Sequence, residues 1–184
     1  MTLACDDPRP LANYLLALHY ADDVGPAEIA RQATMLAGHI AQAATPWSHA
    51  APRAAAVPTD ATEERRLRVG FLSPDFLQHP VARFVEGLFG ALDRTRVEPV
   101  AYAANATEDR QTARLRALVP DWVRVAGLDD AELAARIRAD RIDILIDMAG
   151  HTAGSRLAVL AWRPAPVQAT WLGYAGTTGL ATVD

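Results

Sequence analysis

Residues 67–80 read LRVGFLSPDFLQHP, and within them the sequence pattern changes from that of a strand to that of a loop before a helix. A short apolar run ends at the turn-forming segment 73–75, Ser-Pro-Asp, and an apolar pattern of helical period begins at Val81. The stretch therefore predicts a strand, a loop and a helix, with His79 at the end of the loop. In open α/β sheets, ligands bind in the loops that follow the carboxyl ends of the strands.

His79 has two interpretations at this stage. An imidazole titrates near neutral pH and could take or orient a proton during catalysis. A loop histidine can equally be held by hydrogen bonds to the backbone, in which case its role is structural. The residues of this one loop leave both interpretations open, so the other loops have to be considered with it.

Downstream of this stretch, strand-like runs alternate with helical patterns. The alternation predicts right-handed βαβ units around a mainly parallel sheet, that is, a Rossmann-like α/β fold. Trp122 and Trp171 are expected in its core, and Asp129 or Asp130 is expected to cap a helix. Strands are expected at residues 67–72, 97–102, 122–125, 142–148 and 167–172, and helices around residues 81–92, 115–118, 133–137 and 155–162.

Two more loops follow strands in this scheme. Residues 149–154 read AGHTAG, and residues 172–179 read LGYAGTTG. Glycines let backbone N–H groups approach an anion, so both loops could contact a phosphate or a sugar hydroxyl. Tight turns and flexible connections need glycines as well, and His151 could be held by a neighbouring carbonyl. Because parallel strands end at one sheet edge, we expect all three loops to line one crevice.

The first 66 residues have a different pattern. Two amphipathic helical stripes occur within residues 1–44, and residues 45–66 are rich in proline and alanine, which is typical of a linker. Two short helices cannot bury their apolar faces alone, so we expect them to need a partner surface. We predict a helical segment at 1–44, a linker at 45–66 and a Rossmann-like lobe at 67–184.

Composition argues against several classes of function. The net charge of −4 gives no reason to expect a nucleic-acid partner. The sequence has a single cysteine, no His or Cys pair at metal-binding spacing and no G-x-G-x-x-G fingerprint, so neither a metal nor a dinucleotide is expected. No apolar run approaches the roughly 18 residues of a membrane helix. We therefore expect a soluble cytoplasmic protein without a membrane partner.

Three stretches together resemble the catalytic region of the O-GlcNAc transferase and SPINDLY-like family. They are LRVGFLSPDFLQHP at 67–80, IDILIDMAGHTAGSRL at 142–157 and RPAPVQATWLGYAGTTGLATVD at 163–184. The helices before them are similar to the segment that joins a tetratricopeptide-repeat (TPR) array to that region. The resemblance implies one lobe of a GT-B glycosyltransferase, inverting and metal-independent, that transfers a sugar to Ser or Thr of a protein.

The resemblance also implies the substrates. The donor would be UDP-GlcNAc or GDP-fucose, the latter as in plant members of the SPINDLY branch, which the segments 150–153 and 177–180 resemble. The acceptor would be a protein or peptide, and no cofactor is implied because the nucleotide sugar is itself a substrate.

Positions of this sequence can be matched to the family's functional residues one by one. His79 matches the active-site loop histidine, which acts as the proposed base or as an orienting group. The segments that line the donor sugar and the acceptor imply substrate contacts from Pro80, Gly150, His151, Thr152, Leu172, Gly173, Tyr174, Gly176 and Thr177.

The same resemblance implies that the chain ends within the first of two lobes. In the family, the second lobe supplies most nucleotide contacts, including a lysine for the diphosphate, and this sequence contains no lysine. We therefore expect the chain alone to be inactive as a transferase. The alternative from another class is a non-catalytic α/β module that binds or scaffolds a partner through its lobe and helical segment.

Overall fold

The computed structural model describes residues 9–49 and 65–184 and confirms a Rossmann-like α/β fold. Five parallel strands form one sheet: β1 (Leu67–Ser73), β2 (Val97–Ala103), β3 (Asp121–Arg124), β4 (Ile144–Asp147) and β5 (Val167–Thr170). The helices are α1 (Arg9–Leu18), α2 (Pro26–Ala41), α3 (Pro80–Ala91), α4 (Arg110–Leu118), α5 (Asp130–Ala139) and α6 (Ala158–Ala161). Across the described residues, every helix is too short or too polar to span a lipid bilayer.

The order of the strands, β3-β2-β1-β4-β5, determines where a crevice can form. From β1 the chain moves outward through β2 to β3, and it then returns to the other side of β1 to form β4 and β5. Such a reversal is the topological switch point at which doubly wound sheets bind ligands. The register places Leu72 beside Asp147, and Asp147 beside Thr170. The loops after β1, β4 and β5 therefore begin side by side.

Both faces of the sheet are covered by apolar side chains, as strands with apolar residues on both sides require. On one face, the Phe71 ring meets Phe89 of α3 edge to face, with a centroid distance of 5.1 Å. On the other face, Tyr102 and Leu145 pack beneath α5 and α6. Gly70 lets this second layer lie close to β1, since a Cβ there would come within 3.0 Å of the Tyr102 ring.

The two tryptophans that were expected in the core differ in burial. Trp122 packs against Phe76 in the apolar layer under α3, with ring centroids 5.3 Å apart. Trp171 is 42% exposed, so the prediction for this residue is wrong. It follows the end of β5, an edge strand that pairs only with β4, and the sheet stops before the ring is covered.

Capping side chains set where the helices of the lobe begin. Asp109 and Asp129 each accept a hydrogen bond from the backbone N–H three residues on, within reciprocal capping boxes. This confirms the expected cap before α5 and assigns it to Asp129. His79 has the same position before α3, and Pro80 is placed in the first turn of that helix. The loop after β1 is thus anchored to the helix that follows it.

The helix pair α1–α2 packs directly on the lobe. Its apolar cluster includes Tyr174, which follows β5. The Trp47 backbone N–H donates to the Trp162 carbonyl at 2.9 Å, and the two rings lie 5.7 Å apart. Trp47 and His49 of the expected linker contact the lobe in this way, and residues 50–64 lie outside the described residues. The boundaries of the three sequence segments stay predictions.

Candidate active site

The loops after β1, β4 and β5 meet at the carboxyl edge of the sheet. The first two touch at Pro74, whose Cβ would lie 3.0 Å from a Cβ placed on Gly154. The second and third interlock more tightly, because a Cβ on Gly173 would overlap the carbonyl oxygen of Met148. The structure therefore joins the three loops that the sequence singled out into one continuous surface.

His79 combines the two interpretations that the sequence left open. The Val81 backbone N–H points at its Nδ1 from 3.3 Å, which is the geometry of a cap on α3. The side chain is nevertheless 42% exposed, and Asp75 Oδ2 lies 3.8 Å from the same nitrogen. Within the described residues, Nε2 has no hydrogen-bond partner. An imidazole that is anchored through one nitrogen can meet a substrate through the other.

Asp147 places a second carboxyl group behind this loop. The residue ends β4 and is only 1% exposed. Its Oδ2 accepts a hydrogen bond from the Gly150 N–H at 2.6 Å, whereas Oδ1 has no partner among the described residues. Burial raises the pKa of Asp147 to about 6, with the nearby Asp75 carboxylate acting in the same direction and the backbone hydrogen bonds opposing it. The sequence signal for this group is an acid at the last position of an apolar strand.

The loop after β4 is a tight turn whose side chains bond within the protein. Gly150 has a φ of +54°, and a Cβ there would lie 2.5 Å from the Tyr174 Cβ. Thr152 Oγ1 donates to a backbone carbonyl of the same loop at 2.8 Å. His151 is buried, and its Nε2 donates to the Thr178 carbonyl at 2.9 Å. Desolvation by burial lowers the pKa of His151, so a neutral imidazole ties this loop to the next one.

The loop after β5 lies between the loop after β4 and the helix pair. Leu172 has a φ of +86° and packs in the apolar layer under α3. The Tyr174 hydroxyl lies 2.8 Å from His19 Nε2 in the helix pair. Gly176 makes room for the His19 ring, since a Cβ there would come within 2.7 Å of that ring. Thr177 is exposed, and its Oγ1 accepts a hydrogen bond from the backbone two residues on.

A cleft beside His79 has no counterpart in the sequence-based prediction. It has a volume of about 520 Å³ and lies between the beginnings of α3 and α4. Arg83 and Arg110 line it and make no ion pair with any described residue, whereas Arg114 pairs with Glu86 at 2.6 Å. Separately, no three His, Cys, Asp or Glu side chains within the described residues are grouped closely enough to hold a metal ion.

Comparison with known proteins identifies the family to which this arrangement belongs. Residues 38–184 match the family model described as glycosyl transferase family 41. The chain belongs to this family. A probable UDP-N-acetylglucosamine–peptide N-acetylglucosaminyltransferase SPINDLY of Arabidopsis thaliana is 43% identical over 125 residues, or 66% of this chain and 14% of that protein. The UDP-N-acetylglucosamine–peptide N-acetylglucosaminyltransferase of Caenorhabditis elegans is 36% identical over 122 residues, or 65% of this chain and 11% of that protein.

A solved structure of the family has the same fold. It is a lysine-to-methionine variant of the O-GlcNAc transferase of Thermobaculum terrenum, which matches with a TM-score of 0.86 and 38% identity. The match covers 97% of this chain and 33% of the Thermobaculum chain. A share of 97% includes the helix pair as well as the lobe. The family 41 chain therefore has the α/β fold of an O-GlcNAc transferase lobe of GT-B type, and it spans a small part of its curated relatives.

Proposed function

We propose that this family 41 chain forms the first lobe of a protein O-glycosyltransferase and that His79 meets the acceptor hydroxyl. The observation that supports this role is the exposed imidazole of His79, anchored through Nδ1 at the switch point of the sheet. The relatives' names give UDP-N-acetylglucosamine as the donor and a peptide as the acceptor. Because the chain spans only 14% of the SPINDLY relative, the activity is assigned to a two-lobed protein that includes this chain.

The proposed reaction joins a Ser or Thr oxygen to the anomeric carbon of the donor sugar with inversion. The hydroxyl proton must leave as the new bond forms, and Nε2 of His79 is the nitrogen available to accept or orient it. The nucleoside diphosphate departs from the opposite face of the sugar, towards the second lobe. The nucleotide sugar is a substrate, so the proposal includes neither a cofactor nor a metal.

The other matched residues divide by exposure within this proposal. Pro80 and Thr177 are exposed and form the rim of the site, where a substrate can touch them. Gly150 and His151 are buried and shape that rim from behind through the loop contacts described above. The remaining residues are partly exposed: Thr152, Leu172, Gly173, Tyr174 and Gly176.

Substitution of His79 tests the proposal. In the two-lobed protein, His79→Ala is expected to lower turnover by roughly 10²–10⁴-fold, the usual contribution of a general acid or base. His39→Ala serves as the control, because His39 lies on the exposed side of α2 and, among the described residues, its side chain bonds only within its own helix. Radiolabelled sugar transfer to a protein acceptor measures the effect. Turnover by His79→Ala equal to that of the control would contradict the catalytic role.

The donor and the metal requirement need separate measurements. Transfer assays with UDP-GlcNAc and GDP-fucose side by side identify the donor, and we expect EDTA to leave the rate with the preferred donor unchanged. Loss of activity on chelation would overturn metal independence. The protein itself is proposed to be cytoplasmic, and cell fractionation tests this.

A non-catalytic scaffold remains the alternative class, but the structure weakens its main support. The helix pair was expected to need a partner surface, and its apolar cluster is closed in part by Tyr174 of the same chain. The two classes differ in one readout. A scaffold retains partner capture and shows no sugar transfer even in the two-lobed protein, whereas the transferase loses transfer on His79→Ala.

A further inference from the structure

Two groups compete for Nδ1 of His79. The Val81 backbone N–H points at it from 3.3 Å, and the Asp75 carboxylate lies 3.8 Å away. The first group is a donor and requires an unprotonated Nδ1, whereas the second is an acceptor and requires Nδ1–H. One nitrogen cannot satisfy both at once. The position of the proton on the ring therefore depends on which partner is engaged.

The choice between these partners determines whether His79 can act as a base. When Nδ1 accepts from Val81, the neutral ring carries its proton on Nε2 and cannot take another there. When Nδ1–H donates to Asp75, Nε2 has a free lone pair. Once Nε2 has taken a proton, both ring nitrogens are donors, and only the carboxylate can stabilise the imidazolium through Nδ1.

The backbone of Asp75 is held in place, and its carboxylate has spare acceptor capacity among the described residues. Its backbone N–H donates to the Ser73 Oγ at 3.0 Å, and Ser73 is fully buried at the end of β1. The Asp75 side chain is only 19% exposed, and among the described residues no hydrogen bond reaches its carboxylate oxygens. A half-buried carboxylate without a donor is poorly solvated and gains from a nearby N–H.

We propose that Asp75 is a positioning residue for His79: its carboxylate accepts the Nδ1 proton and leaves Nε2 free for the acceptor hydroxyl. The part of this proposal that concerns the acceptor hydroxyl rests on the function proposed above. The tautomer of His79 depends on this chain alone. Burial raises the pKa of Asp75, and a protonated His79 lowers it, so the two groups stabilise each other when both are charged. Other charged groups also face this pair. They are Asp147 behind Asp75, and Arg83, Glu86, Asp109, Arg110 and Arg114 around the cleft.

The tautomer can be measured directly in the 184-residue chain. Long-range ¹H–¹⁵N correlation spectra at mildly alkaline pH distinguish a ring protonated at Nδ1 from one protonated at Nε2, and His79→Gln identifies the resonances. We expect wild-type His79 to carry its proton mainly on Nδ1. In Asp75→Ala the proton should move to Nε2, because only the Val81 N–H remains. Asp23→Ala, in the exposed turn between α1 and α2, is the control and should resemble wild type.

Two results would overturn the proposal: a wild-type ring protonated on Nε2, or the same tautomer in wild type and a folded Asp75→Ala. The wild-type spectrum alone is decisive if the variant fails to fold. In the two-lobed protein, Asp75→Asn should lower kcat roughly tenfold or more with little change in KM. A tautomer that responds to Asp75 while His79→Ala keeps full turnover would contradict the proposed function and leave the positioning contact standing.

Discussion

At the scale of single residues, Asp147 shows how burial changes the chemistry of a side chain. The folded chain favours the protonated carboxyl, with a pKa of about 6 against the ordinary 3.8. Between these two values, the folded state binds a proton that the unfolded state has already released. The free energy of unfolding therefore falls as the pH rises through this window. Above it the loss is complete and amounts to about 3 kcal/mol.

We predict that Asp147→Asn removes this pH dependence. An amide keeps the size of the side chain and an acceptor for the Gly150 N–H, but it has no proton to lose. Urea unfolding from about pH 4 to about pH 7.5 should show the variant gaining stability over wild type by about 2–2.5 kcal/mol as the pH rises. The buried His151 has the opposite pH dependence, but it is present in both chains and cancels. A constant difference across this range would contradict the assignment.

The sequence could identify the acid at position 147 but not its state. Its place at the end of an apolar strand can be predicted from the sequence. In the structure Oδ2 is paired, because the turn at Gly150 brings a backbone N–H to the carboxylate, while Oδ1 has no partner among the described residues. Such a difference between two oxygens depends on the positive φ of Gly150, three residues away, which no pattern of residue types specifies.

At the scale of elements, the position of the loop after β5 depends on one glycine. A Cβ on Gly173 would overlap the carbonyl oxygen of Met148, which belongs to the backbone beyond β4 and cannot rotate away. We predict that Gly173→Ala pushes the two loops apart and lowers the free energy of unfolding by about 1–3 kcal/mol, the usual effect of overpacking. In the two-lobed protein, transfer should also fall, because the exposed rim moves with the loop.

Gly87→Ala is the matched control for this substitution. Gly87 lies within α3, where a Cβ would meet nothing within 4 Å. Alanine favours a helix over glycine, so this variant should be more stable by about 0.5–1 kcal/mol. Chemical denaturation of both variants provides the measurement. Equal stability of the two alanine variants would show that the loop adjusts to the extra methyl group.

Strands and helices were predictable from the sequence because each depends on a local repeat. Short apolar runs indicate the strands of the lobe, the 3.6-residue period of apolar side chains indicates its helices, and the acidic pair at 129–130 marks the beginning of α5. The interlocking of the loops depends instead on distances between backbones that are far apart in the sequence. Trp171 shows the same limit, since its exposure follows from the end of an edge strand rather than from its own chemistry.

At the scale of the whole molecule, the helix pair supports the site through the loop after β5. The contact between His19 and Tyr174 joins residues that are 155 positions apart, and Tyr174 in turn covers Gly150. The two helices and their need for a partner surface follow from the apolar pattern of the sequence. The identity of that surface depends on tertiary packing, and it proves to be the loop segment that the resemblance assigned to substrate binding.

Enlarging Ala33 should therefore disturb two distant segments together. Ala33 is fully buried in α2, and its backbone lies against Gly179, which has a φ of +72°. We predict that Ala33→Leu lowers the free energy of unfolding by about 1–3 kcal/mol and increases hydrogen exchange both in α2 and in residues 171–184. Amides of β1 and β2 should keep their protection. Ala27→Leu, at an exposed position of the same helix, is the control and should leave both segments unchanged. Faster exchange confined to α2 would mean that the helix pair does not hold the loop.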